Sequence, residues 1–474
     1  MIAEFCNFLP VRGNIRDYDA QEFNMNRSEI PESAISGMIW PALPDGPAAR
    51  MFALARQLDE SQWWASAALE KNQMRQLEQL AGHAVRTVPF YKNRLDCLLG
   101  ILPGDLTLDR WRDIPILRRA DLQRAGSELY STALPKSHAP VIDATSSGST
   151  GRPVTAKITM VTRLFSDAVT LRYHDWAGRD FSAKTCAIEI IQSGTTGEPT
   201  GWAPGYISGP MMVLAIDKPV DEQFDWLVGH APAYLLTYPT NLAALVRHSL
   251  DRDERIPGLR QVATMSEVLD PSTKEDCERH WGVPVVNSYS AKEIGSIALQ
   301  CPEHGRLHIQ SESLLVEILD ETGRACDPGE IGRVVISDLH NFAMPLIRYE
   351  IGDYAEMGEP CPCGRGLPVL RRVLGRTRNR VRLPSGAYIW PRFGANRASR
   401  IAPVRQSQLV QVSEMEILVN LVVERPLTAD EEAALTEMYQ HSLGHPFGLR
   451  YVYLDEIPRA ASGKFEDFRS ELEL

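Results

Sequence analysis

The chain has 474 residues, of which 44% are hydrophobic and 23% charged, and its formal net charge is −11. This composition is typical of a folded protein with roughly two to four domains, and it excludes a disordered chain. The acidic balance also argues against a broad nucleic-acid-binding surface, which needs clustered Lys and Arg.

The N-terminus has no basic start before an apolar run, and this predicts the absence of a signal peptide. The longest purely apolar run, MMVLAI at 211–216, is far shorter than the roughly 20 residues that span a bilayer. We therefore expect a cytoplasmic protein that contacts neither membrane nor nucleic acid. Its eight cysteines should be reduced thiols in that compartment.

Residues 1–45 are polar and weakly patterned, and they are interpreted as a lead-in segment. Apolar residues at three- and four-residue spacing predict a helix over 47–86 and further helix over 105–122. Two alternating strands, PVIDAT and PVTAKITM, then flank a glycine-rich loop. These patterns predict a helical start followed by a hairpin.

The middle of the chain alternates helices and strands. AVTLRYHDWA and TNLAALVRHSLD are predicted helices, the latter starting on a Thr or Asn cap, while KTCAIEII, AYLLTYP and VPVVNSYS are predicted strands. Such alternation is typical of an α/β fold with mixed or largely parallel sheets. From about residue 305 short strands dominate, and the last hundred residues form a small α+β unit.

The charged stretch GRTRNRV, at 375–381, is suited to a linker between domains. We therefore predict a large N-terminal domain over 46–375 and a small mobile α+β domain over 376–474.

Two glycine-rich loops, SSGSTGRP and SGTTGEP, resemble each other, and neither ends in the Gly-Lys-Ser/Thr of a Walker loop. The first is the better phosphate cradle because it lies between two alternating strands, has extra hydroxyls beside it and carries Arg152. The second continues into an aromatic, glycine-rich stretch. We predict that Trp202, Tyr206 and Gly209 in this stretch form a wall of a small-molecule pocket, with ordinary core packing as the alternative for the aromatics.

Four residues with soft or borderline ligand atoms predict a zinc site: Cys301, His304, Cys361 and Cys363. His304 has the better chelate spacing to Cys301, and His308 is the substitute. Four protein ligands would make the zinc structural, since no position stays open for a substrate. The alternative is that these are thiols without a metal.

Five motifs occur in the order that is typical of the adenylate-forming superfamily of acyl-CoA synthetases, peptide-synthetase adenylation domains and luciferases. They are SSGSTGRP, NSYSAKEIG at 287–295, RYEIGD at 348–353, GRTRNRV, and PRAASGKFEDFR at 458–469. VPFYKNRL and CPCGRG, together with the compact length, resemble the branch of phenylacetate-CoA ligases and CapK-like ligases. The resemblance covers about residues 75–470.

The resemblance implies the site residues. The phosphate cradle would comprise Ser147, Gly148, Ser149, Thr150 and Gly151. Glu293 would hold Mg²⁺, Asp353 would bind the ribose hydroxyls, and Lys464 would stabilise the reacting carboxylate and α-phosphate. The adenine side would comprise Ser266, Glu267, Ser288 and Tyr289, and the pivot of a mobile C-terminal domain would comprise Arg376, Arg378 and Asn379.

The resemblance implies an ATP-dependent ligase that converts a carboxylic acid, aromatic in this branch, into an acyl-adenylate and then into a coenzyme A thioester. Lys292 departs from the family pattern, because Thr or Ser is usual at that position. It either supplies charge at the α-phosphate or marks altered activity. Two alternatives therefore stay open: transfer of the acyl group to a carrier-protein thiol or an amine, and a nucleotide-binding protein with impaired catalysis. The acid stays unidentified, and the oligomeric state stays open, with a homodimer as one option.

Overall fold

The computed structural model of this chain describes Ala34 and residues 44–145, 155–191, 200–393, 397–459 and 464–472. Within these ranges the α-helices are α1 (Gly46–Ser61), α2 (Ser66–Thr87), α3 (Leu108–Arg112), α4 (Arg119–Ala125), α5 (Met160–Trp176), α6 (Val220–His230), α7 (Pro239–Arg252), α8 (Pro271–Trp281), α9 (Arg397–Ile401) and α10 (Ala429–Leu443).

The strands of the first two thirds of the chain are β1 (Val141–Thr145), β2 (Thr155–Thr159), β3 (Thr185–Glu189), β4 (Thr200–Gly201), β5 (Pro210–Ala215), β6 (Tyr234–Thr237), β7 (Gln261–Thr264), β8 (Val285–Ala291), β9 (Gly295–Gln300), β10 (Leu307–Ile309) and β11 (Leu314–Leu319). The later strands are β12 (Ile331–Asp338), β13 (Tyr349–Met357), β14 (Val369–Arg376), β15 (Val381–Arg382), β16 (Tyr388–Ile389), β17 (Val404–Gln411), β18 (Glu416–Val423), β19 (Gly448–Tyr453) and β20 (Phe468–Ser470).

One twelve-stranded sheet organises the larger part of the fold, with the order β11-β12-β13-β14-β10-β9-β8-β7-β6-β3-β5-β4. Strands β8, β7, β6, β3 and β5 pair parallel with one another, and α6, α7 and α8 connect β5 to β6, β6 to β7 and β7 to β8. From β8 to β11 every pairing is antiparallel. The predicted α/β class with mixed and parallel strands is therefore confirmed.

The predicted hairpin around the first glycine-rich loop is present as β1 and β2, which pair antiparallel with Thr145 opposite Thr155. The loop at 146–154, including Ser147–Gly151 and Arg152, lies outside the described residues. So does 192–199, which holds most of the second loop.

The single helix expected over 47–86 is wrong, because α1 ends at Ser61 and α2 begins at Ser66. Tertiary contacts hold the break: the N–H of Gly366 donates to the Gln62 carbonyl at 2.9 Å, and the Ser66 hydroxyl donates to the Gly366 carbonyl at 2.9 Å. These long-range bonds interrupt a segment whose local pattern is helical throughout.

The start of α7 also differs from the expectation of a Thr or Asn cap. The helix begins at Pro239, where the fixed φ of proline suits the first helical position. The preceding residue, Tyr238, makes no side-chain capping bond, and the N–H of Thr240 bonds instead to the carboxylate of Glu267, at 3.0 Å.

Among the described residues, the three largest buried apolar clusters form the cores. One lies under the antiparallel part of the large sheet, and a second surrounds the parallel part. The third is built entirely from residues between Val381 and Phe468, around the small sheet β19-β18-β17-β20 and helix α10. The separate third core supports the proposed boundary near 375–381.

In the described part of the chain, no helix has both the length and the apolar character needed to cross a membrane.

Candidate active site

The motif at 287–295 forms the hairpin between β8 and β9. The turn is closed by a bond from the N–H of Ile294 to the carbonyl of Ala291, at 3.2 Å, and Gly295 has a positive φ of 90° that favours glycine. The hairpin carries Ser288, Tyr289, Lys292 and Glu293. It places Tyr289 and Glu293 in buried positions and leaves Ser288 and Lys292 half-buried.

Asp353 lies between two groups that hold its carboxylate. The hydroxyl of Tyr289 donates to Asp353 Oδ2 at 2.7 Å, and Arg376 Nε lies 3.6 Å from Oδ1. Asp353 and Arg376 are directly opposite each other on β13 and β14. Burial, followed by the nearby Asp353 carboxylate, raises the pKa of Tyr289 well above its usual range, so the phenol stays protonated and donates.

Glu293 is buried against two residues that sequence reasoning did not assign. Tyr349 donates its hydroxyl to Glu293 Oε1 at 3.3 Å, and Arg119 Nη1 lies 3.9 Å from the same oxygen. Tyr349 lies inside the recognised RYEIGD motif, which is a signal for its role, whereas Arg119 at the start of α4 stands in no motif. A buried carboxylate of this kind offers the hard oxygen ligand that Mg²⁺ prefers.

Lys464 reaches this site from the C-terminal region. Burial lowers the pKa of its ammonium group, and Arg376 lowers it further, while Asp353, Glu267 and Glu293 act in the opposite direction. The ammonium group therefore lies within electrostatic range of all four side chains. Residues predicted as separate motifs, about 90 to 200 positions apart, thus converge on one centre.

Glu267 fastens residues on both sides of Lys464, Arg459 and Phe465, to the large domain. Its Oε1 accepts the N–H of Phe465 at 2.8 Å and lies 3.5 Å from Arg459 Nη1. Its Oε2 accepts the N–H of Thr240 at 3.0 Å. Burial raises the pKa of Glu267, and Arg459 with the two backbone donors opposes this rise. One carboxylate therefore links both sides of the domain boundary.

The predicted pivot residues also contact the C-terminal segment. Thr377–Asn379 forms a short 3₁₀ turn directly after β14. The side-chain amide of Asn379 donates to the carbonyl of Phe468 at 2.8 Å, and Arg378 forms an ion pair with Glu466. The pivot is thus tied to residues on the C-terminal side of Lys464.

The predicted wall of the acid pocket requires a correction. Trp202 is a core residue, only 3% exposed, and its indole N–H donates to the carbonyl of Ala183 at 2.9 Å. Tyr206 packs edge-on against Phe52 and Phe181. At Gly209 a Cβ would lie 2.3 Å from the Ala183 carbonyl oxygen, so glycine is required for packing. The three residues stand apart from the cavity that Lys292 lines, and Trp202 lines a second cavity together with His174 and Tyr234.

A cavity lies beside the hairpin motif, next to the turn between β8 and β9. Lys292 lines it, one residue before Glu293. Its apolar lining comprises Ile158, Phe165, Val169, Ile294 and Leu314.

Cys301, His308, Cys361 and Cys363 form a compact cluster whose ligand atoms all lie within 4.8 Å of one another. Sγ of Cys301 and Sγ of Cys361 are 3.8 Å apart, and Cys363 Sγ is 3.4 Å from His308 Nε2. Ligands at about 2.3 Å from a tetrahedral zinc are separated by about 3.8 Å. The spacing fits zinc.

A hydrogen bond selects the tautomer of His308 that can bind a metal ion. His308 Nδ1 lies 3.2 Å from the carbonyl of Leu367, which can only accept, so Nδ1 carries the proton and Nε2 presents its lone pair to the thiols. His304, the first choice from the spacing, is exposed at the tip of the β9–β10 hairpin. The choice of His304 is therefore wrong within this cluster, and the substitute His308 replaces it.

The register of the β9–β10 hairpin explains why His308, and not His304, lies beside Cys301. His308 is opposite Leu299 in the β9–β10 hairpin, and Cys301 is two residues from Leu299, so Cys301 and His308 share one face. The other two cysteines precede β14, which pairs with β10. The β10–β14 pairing therefore brings Cys361 and Cys363, roughly 60 residues later in the chain, next to Cys301 and His308.

The chain matches two protein families in order: "AMP-binding enzyme" over residues 111–344 and "CapK C-terminal domain" over residues 384–470. It is 26% identical to a phenylacetate-coenzyme A ligase of Thermus thermophilus, over 77% of this chain and 80% of that protein. It is 23% identical to protein CapK of Staphylococcus aureus, over 49% of this chain and 51% of that protein.

A solved structure with the same fold is that of 2-hydroxyisobutyryl-CoA ligase in the postadenylation state. The TM-score is 0.69 at 19% identity, covering 86% of this chain and 90% of the other. Together with the matched families, this likeness covers both the large domain and the C-terminal unit. The chain belongs to the adenylate-forming superfamily, in the branch of the phenylacetate-CoA ligases and CapK.

Proposed function

We propose that the protein is an ATP-dependent carboxylate–CoA ligase that forms an acyl-adenylate and then a thioester, acting on an aromatic acid. The observation that carries the proposal is the convergence of Lys464 with Asp353, Glu293 and Arg376. The relatives named phenylacetate-coenzyme A ligase support the aromatic substrate class.

In the first step, a carboxylate oxygen of the acid attacks the α-phosphorus of ATP, and the bond from this phosphorus to the pyrophosphate oxygen breaks. Two anions must approach each other, so the site must supply positive charge where their oxygens meet. The ammonium group of Lys464 supplies it, and its partial burial strengthens the interaction.

Asp353 would bind the ribose hydroxyls of the nucleotide. A carboxylate has about four acceptor positions, so the bonds with Tyr289 and Arg376 leave acceptor capacity on both oxygens. Tyr289 would then orient the carboxylate through its hydroxyl, and stacking of its ring on adenine stays a prediction. Ser266, which has a positive φ of 67°, and Ser288 keep their predicted places on the adenine side.

Mg²⁺ would be held by Glu293 together with phosphate oxygens, and would neutralise negative charge on the leaving pyrophosphate. Tyr349 and Arg119 fix the carboxylate in its buried position. The loop Ser147–Gly151 keeps its predicted role as phosphate cradle and lies outside the described residues.

In the second step, the sulfur of coenzyme A attacks the carbonyl carbon of the acyl-adenylate, the thiol proton is lost, and the bond to the AMP oxygen breaks. Movement of the C-terminal domain about Arg378 and Asn379 would remove Lys464 first, since its charge is no longer needed. Transfer to a carrier-protein thiol or an amine is the second candidate. It differs only in the acceptor.

The cysteine cluster would bind one zinc ion in a structural role, because Cys301, His308, Cys361 and Cys363 leave no ligand position open. The zinc would join β9, β10 and the turn before β14. A cytoplasmic location and a homodimer stay predictions.

The proposal is tested by measuring pyrophosphate release from ATP with a panel of aromatic and aliphatic carboxylic acids, with and without coenzyme A. Acid-dependent release and coenzyme A consumption with an aromatic acid are expected. Acid-dependent release without coenzyme A consumption would favour the carrier-protein or amine acceptor. Nucleotide binding without release for any acid would favour the impaired protein, for which Lys292 is the sequence hint.

Replacing Glu267 by glutamine should slow adenylate formation by about 10-fold, because the charged link to Arg459 is lost, and hydrogen bonds to charged groups contribute about 1.5–3 kcal/mol. Thioester formation from supplied acyl-adenylate should change little. The two half-reactions are measured separately, as pyrophosphate release and as AMP release.

The matched control is Glu424→Gln at another contact of the same boundary, where Glu424 pairs with Arg247 at 3.2 Å and is 55% exposed. An exposed pair contributes at most about 1 kcal/mol, a factor of about 5, so the control should lower adenylate formation less than Glu267→Gln does. Equal losses in the two variants would contradict a specific role for Glu267.

A further inference from the structure

One wall of the cavity beside Lys292 carries three polar side chains, Ser313, Asp338 and His340. The β11–β12 pairing brings them together: Leu314 is opposite Asp338, and the N–H of Leu339 donates to the Ser313 carbonyl at 3.1 Å. The three side chains therefore lie where two neighbouring strands end, and all three line the same space.

Asp338 presents an anionic acceptor. It is only 4% exposed, and its Oδ1 accepts the N–H groups of His340, at 2.9 Å, and Asn341, at 3.3 Å. Burial raises the pKa of Asp338 to about 6, so the group is mostly ionised at neutral pH. No ion pair to Asp338 is formed by the part of the chain that the structure describes. A buried carboxylate in this position favours a hydrogen-bond donor.

His340 presents a neutral acceptor. Its Nε2 lies 2.9 Å from the carbonyl of Glu312, and because a carbonyl only accepts, Nε2 carries the proton and Nδ1 keeps its lone pair. Burial lowers the pKa of His340 to about 4, so the ring is uncharged at neutral pH. The ring stacks on Phe165 with centroids 3.8 Å apart and planes 15° apart, which gives the cavity a flat face.

Ser313 adds a hydroxyl that lacks a partner. Its Oγ is buried, and no described residue forms a hydrogen bond with it. A buried hydroxyl without a partner is unfavourable, and such groups in folded proteins usually meet a water or a ligand. Its position next to Leu314, in the apolar lining, places this unsatisfied group at the border between the polar wall and the apolar lining.

We infer that the acid bound in this cavity carries a hydrogen-bond-donating substituent, a hydroxyl or an amino group, which Asp338, His340 and Ser313 recognise. The inference rests on the proposed function and specifies its substrate class. The flat Phe165–His340 face and the side chains of Ile158, Val169 and Ile294 accommodate a compact aromatic body. Lys292, beside Glu293 in the same lining, connects this cavity to the hairpin motif.

The chemistry of the wall also excludes other substituents. A second carboxylate would face the Asp338 anion, and a methyl or methoxy group would leave the carboxylate and the Nδ1 lone pair without a donor. Sites built to bond a substrate hydroxyl reject analogues that lack it, because the buried protein groups stay unpaired.

The test is the ratio of kcat/KM for pyrophosphate release between matched acids: hydroxy- or amino-substituted benzoates and phenylacetates at the 3- and 4-positions, each against its methyl isostere. At least one pair should show a preference of about 10- to 100-fold for the donor, the size expected for a hydrogen bond to a charged group. Asp338→Asn and Ser313→Ala should each reduce this ratio.

Asp338→Asn keeps the side-chain oxygen that accepts the two backbone N–H groups, and Ser313→Ala removes only an unpaired hydroxyl, so both variants should fold. Asp327→Asn, at an exposed aspartate, is the control that should leave the ratio unchanged. If the enzyme is active but shows no preference for donor-substituted acids, the inference is overturned while the proposed function stands. The same holds if neither cavity variant changes the preference. Absence of release with every acid would instead reject the proposed function and the inference with it.

Discussion

Replacement of Lys464 by alanine should lower the rate of acyl-adenylate formation by about 10²- to 10³-fold, the loss typical when one charge-stabilising donor is removed from an active site. Lys464 is the only lysine in residues 376–474, so no neighbouring lysine of that domain can replace it. Pyrophosphate release in the presence of the best acid measures this step.

The second half-reaction should respond differently. When the variant is supplied with preformed acyl-adenylate and coenzyme A, thioester formation should stay close to that of the unchanged enzyme, because movement of the C-terminal domain would already have taken Lys464 out of the site before this step. Equal losses in both half-reactions would contradict the assigned role. An unchanged rate of adenylate formation would also contradict it.

The control is Arg469→Ala, which removes an exposed cation paired with Glu471 in the same domain and should change either rate less than about 3-fold. The pH dependence gives a second readout. Because burial and Arg376 lower the pKa of Lys464, its proton is lost at a lower pH than that of an exposed lysine. Adenylate formation should therefore begin to decline at a correspondingly lower alkaline pH, and the Lys464→Ala variant should lack this decline.

Purified protein should contain about one zinc ion per chain, and replacing Cys361 by serine should remove most of it. Cys361 is buried, its Sγ lies 3.8 Å from Cys301 Sγ, and the cluster connects strands that are distant in sequence. Structural zinc contributes directly to folding stability. A loss of about 3 kcal/mol would lower the Tm by roughly 6–12 °C for a domain of 150–250 residues.

Two histidine variants separate the two predicted ligand sets. His308→Ala should lose zinc and stability, because Nε2 points at the thiols, whereas His304→Ala should keep both, because His304 is exposed on the hairpin tip. Cys97→Ser is the control for a thiol outside the cluster. Elemental analysis and thermal unfolding give the two readouts. Zinc retention by Cys361→Ser together with an unchanged Tm would contradict the site.

Local patterns predicted most of the elements that carry the site. Alternation predicted β1 and β2 on either side of the glycine-rich loop, and both strands are present. These features depend on residues that are adjacent in sequence, so their energies are visible in a short window. The helix expected over 47–86 was wrong at 62–65, where bonds to Gly366 interrupt it.

The motifs identified the residues of the site, but their neighbours came from packing. Asp353 and Glu293 were predicted, whereas Tyr349 and Arg119, which hold Glu293, were not assigned. Glu267 was predicted on the adenine side, and it also contacts Phe465, directly after Lys464. The assigned roles of the motif residues stay predictions until the variants are measured.

The sequence by itself determined the α/β class, the order of the motifs, the membership in the superfamily and three of the four cluster ligands. Only the tertiary structure decided that His308 and not His304 joins Cys301, that Trp202 belongs to the core, and that Ser313, Asp338 and His340 share one cavity wall. The physical reason is that these relations depend on strand register and on contacts between distant residues. A shift of one position in the β9–β10 pairing would place His308 on the other face of the sheet.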